Sequence, residues 1–133
     1  MIEESYEKEF TALIGRRINS VSIDDEKQTI VFTTDKGPVV YSAYGDCCSH
    51  SWFEHLTGTD VLAGEIVNKV VNRPMPESNE IDSETIRYYG WTLETSKGRF
   101  DIEMRNSSNG YYGGSVHVGE TVPNDIKVVT ADF

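Results

Sequence analysis

Thr29-Ile30-Val31-Phe32-Thr33-Thr34-Asp35-Lys36-Gly37-Pro38-Val39-Val40-Tyr41-Ser42-Ala43-Tyr44 is the stretch that decides how this chain folds. Two runs rich in β-branched and aromatic residues flank a turn whose glycine and proline favour a tight reversal, so the stretch predicts a β-hairpin. Toward the N-terminus, residues 17–23 form a third β-rich run. The turn-prone Asp24-Asp25-Glu26-Lys27-Gln28 separates it from residues 29–34, which predicts a second hairpin sharing the central strand. Further upstream, Ile2, Tyr6, Phe10, Leu13 and Ile14 recur at helical spacing with Glu and Lys between them, and Gly15 stands where a left-handed stop belongs. That pattern predicts an amphipathic N-terminal helix.

Toward the C-terminus, Ser51 with Glu54 three residues later matches a capping box and predicts a short helix through Leu56. Residues 65–73 fit a helical stripe through Ile66, Val67, Val70 and Val71, yet their β-branched content favours a strand, which is the reading taken. Residues 74–84, with two prolines and four acids, read as a mobile loop. Residues 85–95 and 99–105 then predict a hairpin turning at Ser96-Lys97-Gly98, with Phe100, Ile102 and Met104 alternating against Asp101 and Glu103. Short strands at 115–118 and 126–130 complete the pattern. The expected fold class is α+β: an N-terminal helix packed on a bent, mainly antiparallel β-sheet. With 133 residues the chain can bury one core and is short for two, so a single domain over residues 1–133 is expected.

The formal charge of −10, from 12 Lys and Arg against 22 Asp and Glu, argues against binding a nucleic-acid duplex, which needs clustered basic side chains. A small anionic ligand fits only where a few basic residues converge. The acids are scattered rather than regularly spaced, which speaks for a solvated surface over mimicry of a polyanion. Met1-Ile2-Glu3-Glu4-Ser5 lacks the basic start and apolar run of a secretory signal, and no apolar stretch nears the roughly 18 residues of a membrane span. The expectation is a soluble, cytoplasmic protein with no membrane contact. Two adjacent cysteines make no disulfide framework, and neighbouring residues rarely bridge because the geometry is strained; a reducing compartment fits.

The run Tyr44-Gly45-Asp46-Cys47-Cys48-Ser49-His50-Ser51-Trp52-Phe53-Glu54 concentrates thiols, an imidazole and aromatics. A zinc site would use Cys47 or Cys48 with His50, Glu54 or His55 and the distant His117, but adjacent cysteines are poorly spaced for one centre. A catalytic thiol would need His50 or His55 as base and a helix N-terminus to lower its pKa, and nothing beyond Asp46 could orient that base. The preferred reading is structural: small buried cysteines, with Trp52 and Phe53 pinning the short helix to the sheet. It assigns no catalytic residue, no metal and no cofactor.

Arg105-Asn106-Ser107-Ser108-Asn109-Gly110-Tyr111-Tyr112-Gly113-Gly114 is the better ligand candidate. Its glycines permit close backbone approach, Arg105 offers a planar fork to phosphate or carboxylate, Asn106 and Asn109 offer polar edges, and Tyr111 or Tyr112 offers a stacking face. Arg87, with Tyr88, Tyr89 and Trp91 on a neighbouring strand, can add an aromatic, weakly basic wall, and Arg87 and Trp52 from the first motif complete the candidate set. The alternative, a long hairpin loop whose glycines serve the turn and whose tyrosines plug the sheet end, stays open at this stage.

The pairing of Gly45-Asp46-Cys47-Cys48-Ser49-His50-Ser51-Trp52-Phe53-Glu54 with the Arg105 to Gly114 motif resembles a family of small uncharacterised proteins of bacteria and their phages, over most of the chain from Leu13-Ile14-Gly15 to that second motif. The resemblance carries no catalytic residues. It implies a phage or mobile-element setting, in which small acidic proteins counter host defence. The functional expectation is therefore a non-enzymatic small-ligand binding protein, in its sharpest form one that sequesters a nucleotide-derived signalling molecule. A protein-interaction module or inhibitor of a host protein is the second expectation, and a cysteine-dependent enzyme the third. β-rich edges and exposed aromatics also make a homodimer a candidate.

Overall fold

The structure, a computed structural model, describes residues 9–119 and 121–133. The deciding stretch folds as read. Strands β1 (Ile18–Ile23), β2 (Thr29–Thr34) and β3 (Gly37–Gly45) form two successive antiparallel hairpins, with Phe32 opposite Val21 on one side and Val39 on the other. The remaining strands are β4 (His50–Thr57), β5 (Lys69–Asn72), β6 (Asn79–Ile81), β7 (Glu84–Thr95), β8 (Gly98–Ser108), β9 (Gly114–Gly119) and β10 (Lys127–Val128). They make two sheets, one ordered β10-β1-β2-β3-β9 and the other β4-β8-β7-β5, with β6 also on β7.

Period-2 alternation supplies the core. Ile30, Phe32, Val39 and Tyr41 of the first sheet join Phe53, Leu56, Trp91, Leu93, Phe100, Ile102 and Met104 of the second in one buried cluster. Phe32 meets Phe100 edge-on at 6.3 Å between ring centres, which bridges the sheets. Each such side chain contributes roughly 1.5–3 kcal/mol by leaving water, so Phe32→Ala, which also opens a cavity, would cost about 3–5 kcal/mol.

The α+β expectation is overturned: two antiparallel sheets carry the fold. Among the described residues the helical pieces are a 3-10 turn at Thr11–Leu13 and the four-residue α1 (Thr59–Leu62). Ile2 and Tyr6 of the expected helix lie outside the described residues. Phe10 stands in the left-handed region at φ 70 and inserts between the rings of Tyr41 (4.5 Å) and Trp91 (5.2 Å). Its spacing from the buried Leu13 is satisfied by a single 3-10 turn, while Ile14, which a helical stripe would bury, is 45% exposed. Gly15 does take the positive φ expected of it, at 85°.

The helix expected from Ser51 to Leu56 is likewise corrected to strand β4. Ser51 and Phe53 alternate inward, and a bulge between Phe53 and His55 moves the next inward position to Leu56. That three-residue step imitates helical periodicity. The Ser51 hydroxyl donates to the Tyr44 carbonyl at 3.0 Å instead of capping a helix.

Strands β7 and β8 form the expected hairpin but run longer than read, so Asn106 lies within a strand rather than in a loop. The outer edge of β7 is shared. β5 pairs with it from Trp91 to Glu94 and β6 from Glu84 to Ile86, and residues 73–78 arch over the interval between them. Arg73 N–H donates to Gly90 O at 2.9 Å at one foot of that arch. The expected loop at 74–84 thus contains β6 and a two-residue turn at Asp82 and Ser83, both with positive φ, the twist that suits tight hairpins. Of the 65–73 run, Lys69–Asn72 is strand; Ile66 and Val67 make isolated bridges to Arg17 and Ile14.

Candidate ligand site

The inner face of the second sheet changes character along its length. Cross-strand pairs Leu93/Phe100, Trp91/Ile102 and Tyr89/Met104 give way to Arg87/Asn106 and Thr85/Ser108. Asn106 is fully buried; its Nδ2 donates to Ser51 Oγ at 2.9 Å and Ser49 Oγ at 3.0 Å, while its Oδ1 is buried with no partner among the described residues. Arg87 donates to the carbonyls of Tyr112 and Gly110, each at 2.8 Å. Gly114 N–H donates to Tyr89 Oη at 3.1 Å, and Asp46 N–H to Gly113 O at 3.0 Å. These bonds bring the two motif loops together at one end of the sheets. A Cβ on Gly114 would collide with Ser51 Oγ, which is why glycine stands there. Arg87 and Asn106 are thereby consumed in pinning the loops.

Within the loop, Asn109 Oδ1 accepts from Tyr111 N–H at 3.1 Å, a local turn, and the Tyr111 ring is 85% exposed. Tyr112 faces the cysteine turn, and the charge of Cys47, followed by a hydrogen bond with it, pushes the phenol pKa up. Cys47 and Cys48 are both exposed, which corrects the expectation that they are buried. The histidines diverge: His50 stacks on Trp52 at 5.3 Å, His55 Nδ1 lies 3.1 Å from Phe133 O, and His117 stacks on Tyr44 at 4.7 Å. Among the described residues, no three His, Cys, Asp or Glu side chains gather to hold a metal.

Arg105 faces the opposite way, on the outer surface of the second sheet, where Trp52, Arg105 and Tyr88 are cross-strand neighbours. Its Nε donates to Glu103 Oε2 at 2.7 Å, its Nη1 lies 4.0 Å from Glu54 Oε2, and its guanidinium lies over the Tyr88 ring at 5.1 Å. Trp52 Nε1 donates to Glu54 Oε1 at 2.6 Å. Partial burial pulls the Arg105 pKa down, but the bond to Glu103 and the charges of Glu103, Glu54 and Tyr88 outweigh it and leave the pKa above its ordinary value. Arg105, Glu103 and Tyr88 floor a cavity of about 430 Å³ walled by residues 75–79. A second hollow of about 400 Å³ opens across the arch, beside Arg73, Tyr89 and Gly90, and Met75 and Tyr88 border both.

Of the seven residues singled out in the sequence, Arg105 lines the groove and Trp52 adjoins it, whereas Arg87, Asn106, Asn109, Tyr111 and Tyr112 belong to the loop cluster. Glu103 and Met75 were missed; Tyr88 was expected beside Arg87 as a pocket aromatic but was not singled out for the site. A signal for Tyr88 was present: the tight turn at Ser96 and Lys97 sets Thr95 opposite Gly98, and that register puts Tyr88 opposite Arg105.

No helix among the described residues is long and apolar enough to cross a membrane. An uncharacterized protein of Acanthamoeba polyphaga mimivirus is 30% identical over 115 residues, covering 79% of this chain and 88% of that one. No solved structure matches the chain. Residues 11–118 match the family described as Domain of unknown function (DUF7448), a span that takes in both motifs and the whole groove, and the chain belongs to that family.

Proposed function

We propose that this protein is a non-enzymatic binder of a small molecule held in the groove over Tyr88 and Arg105. One observation carries the reading: a guanidinium fixed between two carboxylates and an aromatic ring, on the floor of a hollow large enough for a nucleotide-sized ligand. Nε and Nη1 face Glu103 and Glu54, which leaves Nη2 to donate to the ligand. Tyr88 or Trp52 offers a face for a planar base. Glu54, Glu77 and Glu103 oppose a multiply charged phosphate, so a cyclic nucleotide with one charge per phosphate suits the groove better than a triphosphate. In the phage-type counter-defence setting that the sequence resemblance implies, such a cytoplasmic protein would act by sequestering a nucleotide-derived signal.

A second reading, a module that engages a host protein or another copy of this chain, is favoured by one feature. Residues 76–84 are all exposed, carry four carboxylates, and present Ile81 at 50% exposure on the β6–β7 hairpin.

The test is to incubate the protein with linear and cyclic nucleotides, remove unbound material, denature by heat and identify what is released by mass spectrometry. Release of one intact cyclic nucleotide supports the reading. An altered product would make the protein an enzyme, and an empty protein would move the assignment to a protein partner.

A further inference from the structure

Adjacent cysteines are poor disulfide partners as a rule, because the peptide between them resists the short ring that a bond would close. Here the turn overcomes much of that resistance. Cys47 is held in the left-handed region at φ 34, a conformation that non-glycine residues seldom adopt, and the two sulfurs lie 2.9 Å apart. Bonds on both sides fix the turn: Asp46 N–H to Gly113 O at 3.0 Å, Ser49 N–H to Asp46 O at 2.9 Å, and Ser49 Oγ to Asp46 O at 2.7 Å. Both thiols are exposed, so oxidants and reductants reach them. Strain kept in a well-anchored turn is a mark of function.

We propose that Cys47 and Cys48 form a redox modification site, a vicinal dithiol that a peroxide converts reversibly to an intramolecular disulfide. The hydrogen bond and charge of Cys47 hold the Cys48 thiol above its ordinary pKa. The Cys47 thiolate attacks one peroxide oxygen; an S–O bond forms, the O–O bond breaks, and the departing hydroxide takes up the proton that the Cys47 thiol released on ionising and leaves as water. With the Cys47 charge gone, Cys48 ionises and its thiolate attacks the Cys47 sulfur; an S–S bond forms, the S–O bond breaks, and the departing hydroxide takes up the Cys48 proton as a second water. Two thiols and one hydrogen peroxide give one disulfide and two waters, and a dithiol reductant returns the starting state.

The full chain, reduced and then treated with a small excess of hydrogen peroxide in the presence of reduced glutathione, is read by intact mass. The expected result is a monomer lighter by about 2 mass units, restored by dithiothreitol, because the neighbouring thiol outcompetes dissolved glutathione for the sulfenic acid. Cys48→Ser should instead gain a single glutathione on Cys47, a product that shows the resolving role of Cys48. Glutathione on both cysteines of the unaltered protein, sulfinic acid, a disulfide-linked dimer, or no change would each overturn the proposal.

Discussion

The Arg105 guanidinium lies over the Tyr88 ring, 5.1 Å from its centre, at a pair of directly opposed positions on β7 and β8. Glu103, two residues along β8, holds Nε at 2.7 Å, so the fork is oriented before any ligand arrives. Orientation in advance reduces the entropy lost on binding. The arrangement looks outward into a groove, whereas Arg87 on the inner face of the same hairpin spends its donors on backbone carbonyls.

Arg105→Ala should lower the affinity for a bound cyclic nucleotide about 10–100-fold, the worth of a charge-assisted hydrogen bond. Its effect on stability should stay within about 1 kcal/mol, since the ion pairs it loses are partly exposed. Arg105→Lys should restore little, because an ammonium cannot reproduce the planar fork. Calorimetric titration alongside urea denaturation separates the two effects, and unchanged affinity in Arg105→Ala would remove Arg105 from the site.

Gly90→Ala tests the arch. A Cβ there would meet Met75 Sδ at 2.5 Å and Arg73 Cβ at 3.2 Å, so Met75 must move. The flexible thioether yields cheaply. The expected outcome is a loss of about 1 kcal/mol or less in stability together with a measurable change in ligand affinity. A variant as tight as the parent would mean that Met75 takes no part in shaping the groove.

Asn106→Ala should behave in the opposite way. It leaves the hydroxyls of Ser49 and Ser51 without their donor inside the protein, at a cost of about 1–3 kcal/mol. Because Asn106 faces the inner side, ligand affinity at the groove should be unchanged in the folded fraction. Urea midpoints with a constant slope would show the stability loss.

Asp132 links the chain's C-terminal segment to α1. Its Oδ1 accepts from Gly58 N–H and Thr59 N–H, both at 3.0 Å, and from Thr59 Oγ1 at 2.8 Å. Thr59 first and Gly58 next, through their backbone N–H groups, hold its pKa below the usual aspartate value. A depressed carboxylate stabilises fully above the unfolded pKa of about 3.9. The contribution is lost as the pH falls through the lower folded value. Asp132→Ala should therefore cost about 0.5–1 kcal/mol near neutrality, discounted for exposure, and the two proteins should converge in strong acid. A gap that persists there would assign the effect to packing.

The hairpins were legible because Ile30, Phe32, Val39 and Tyr41 alternate cleanly about turn residues that can do little else. The N-terminal element was not, since Phe10 and Leu13 are three apart in a helix and in a single 3-10 turn alike. Phe53 and Leu56 misled through the bulge between them. The alternation of Phe100, Ile102 and Met104 against Asp101 and Glu103 already set Arg105 on the outer face, whereas the burial of Asn106 depended on β8 running on to Ser108. The proximity of the cysteine sulfurs was hidden because it depends on the backbone conformation of one residue, Cys47.

Backbone amide chemical-shift mapping of the full chain, titrated with a panel of cyclic nucleotides, addresses the groove most directly. The account predicts that one of them shifts the amides of Tyr88, Glu103, Arg105 and residues 75–79 as a cluster. Shifts confined to the Cys47 turn and the Asn109 to Tyr112 loop, or none across the panel, would contradict it.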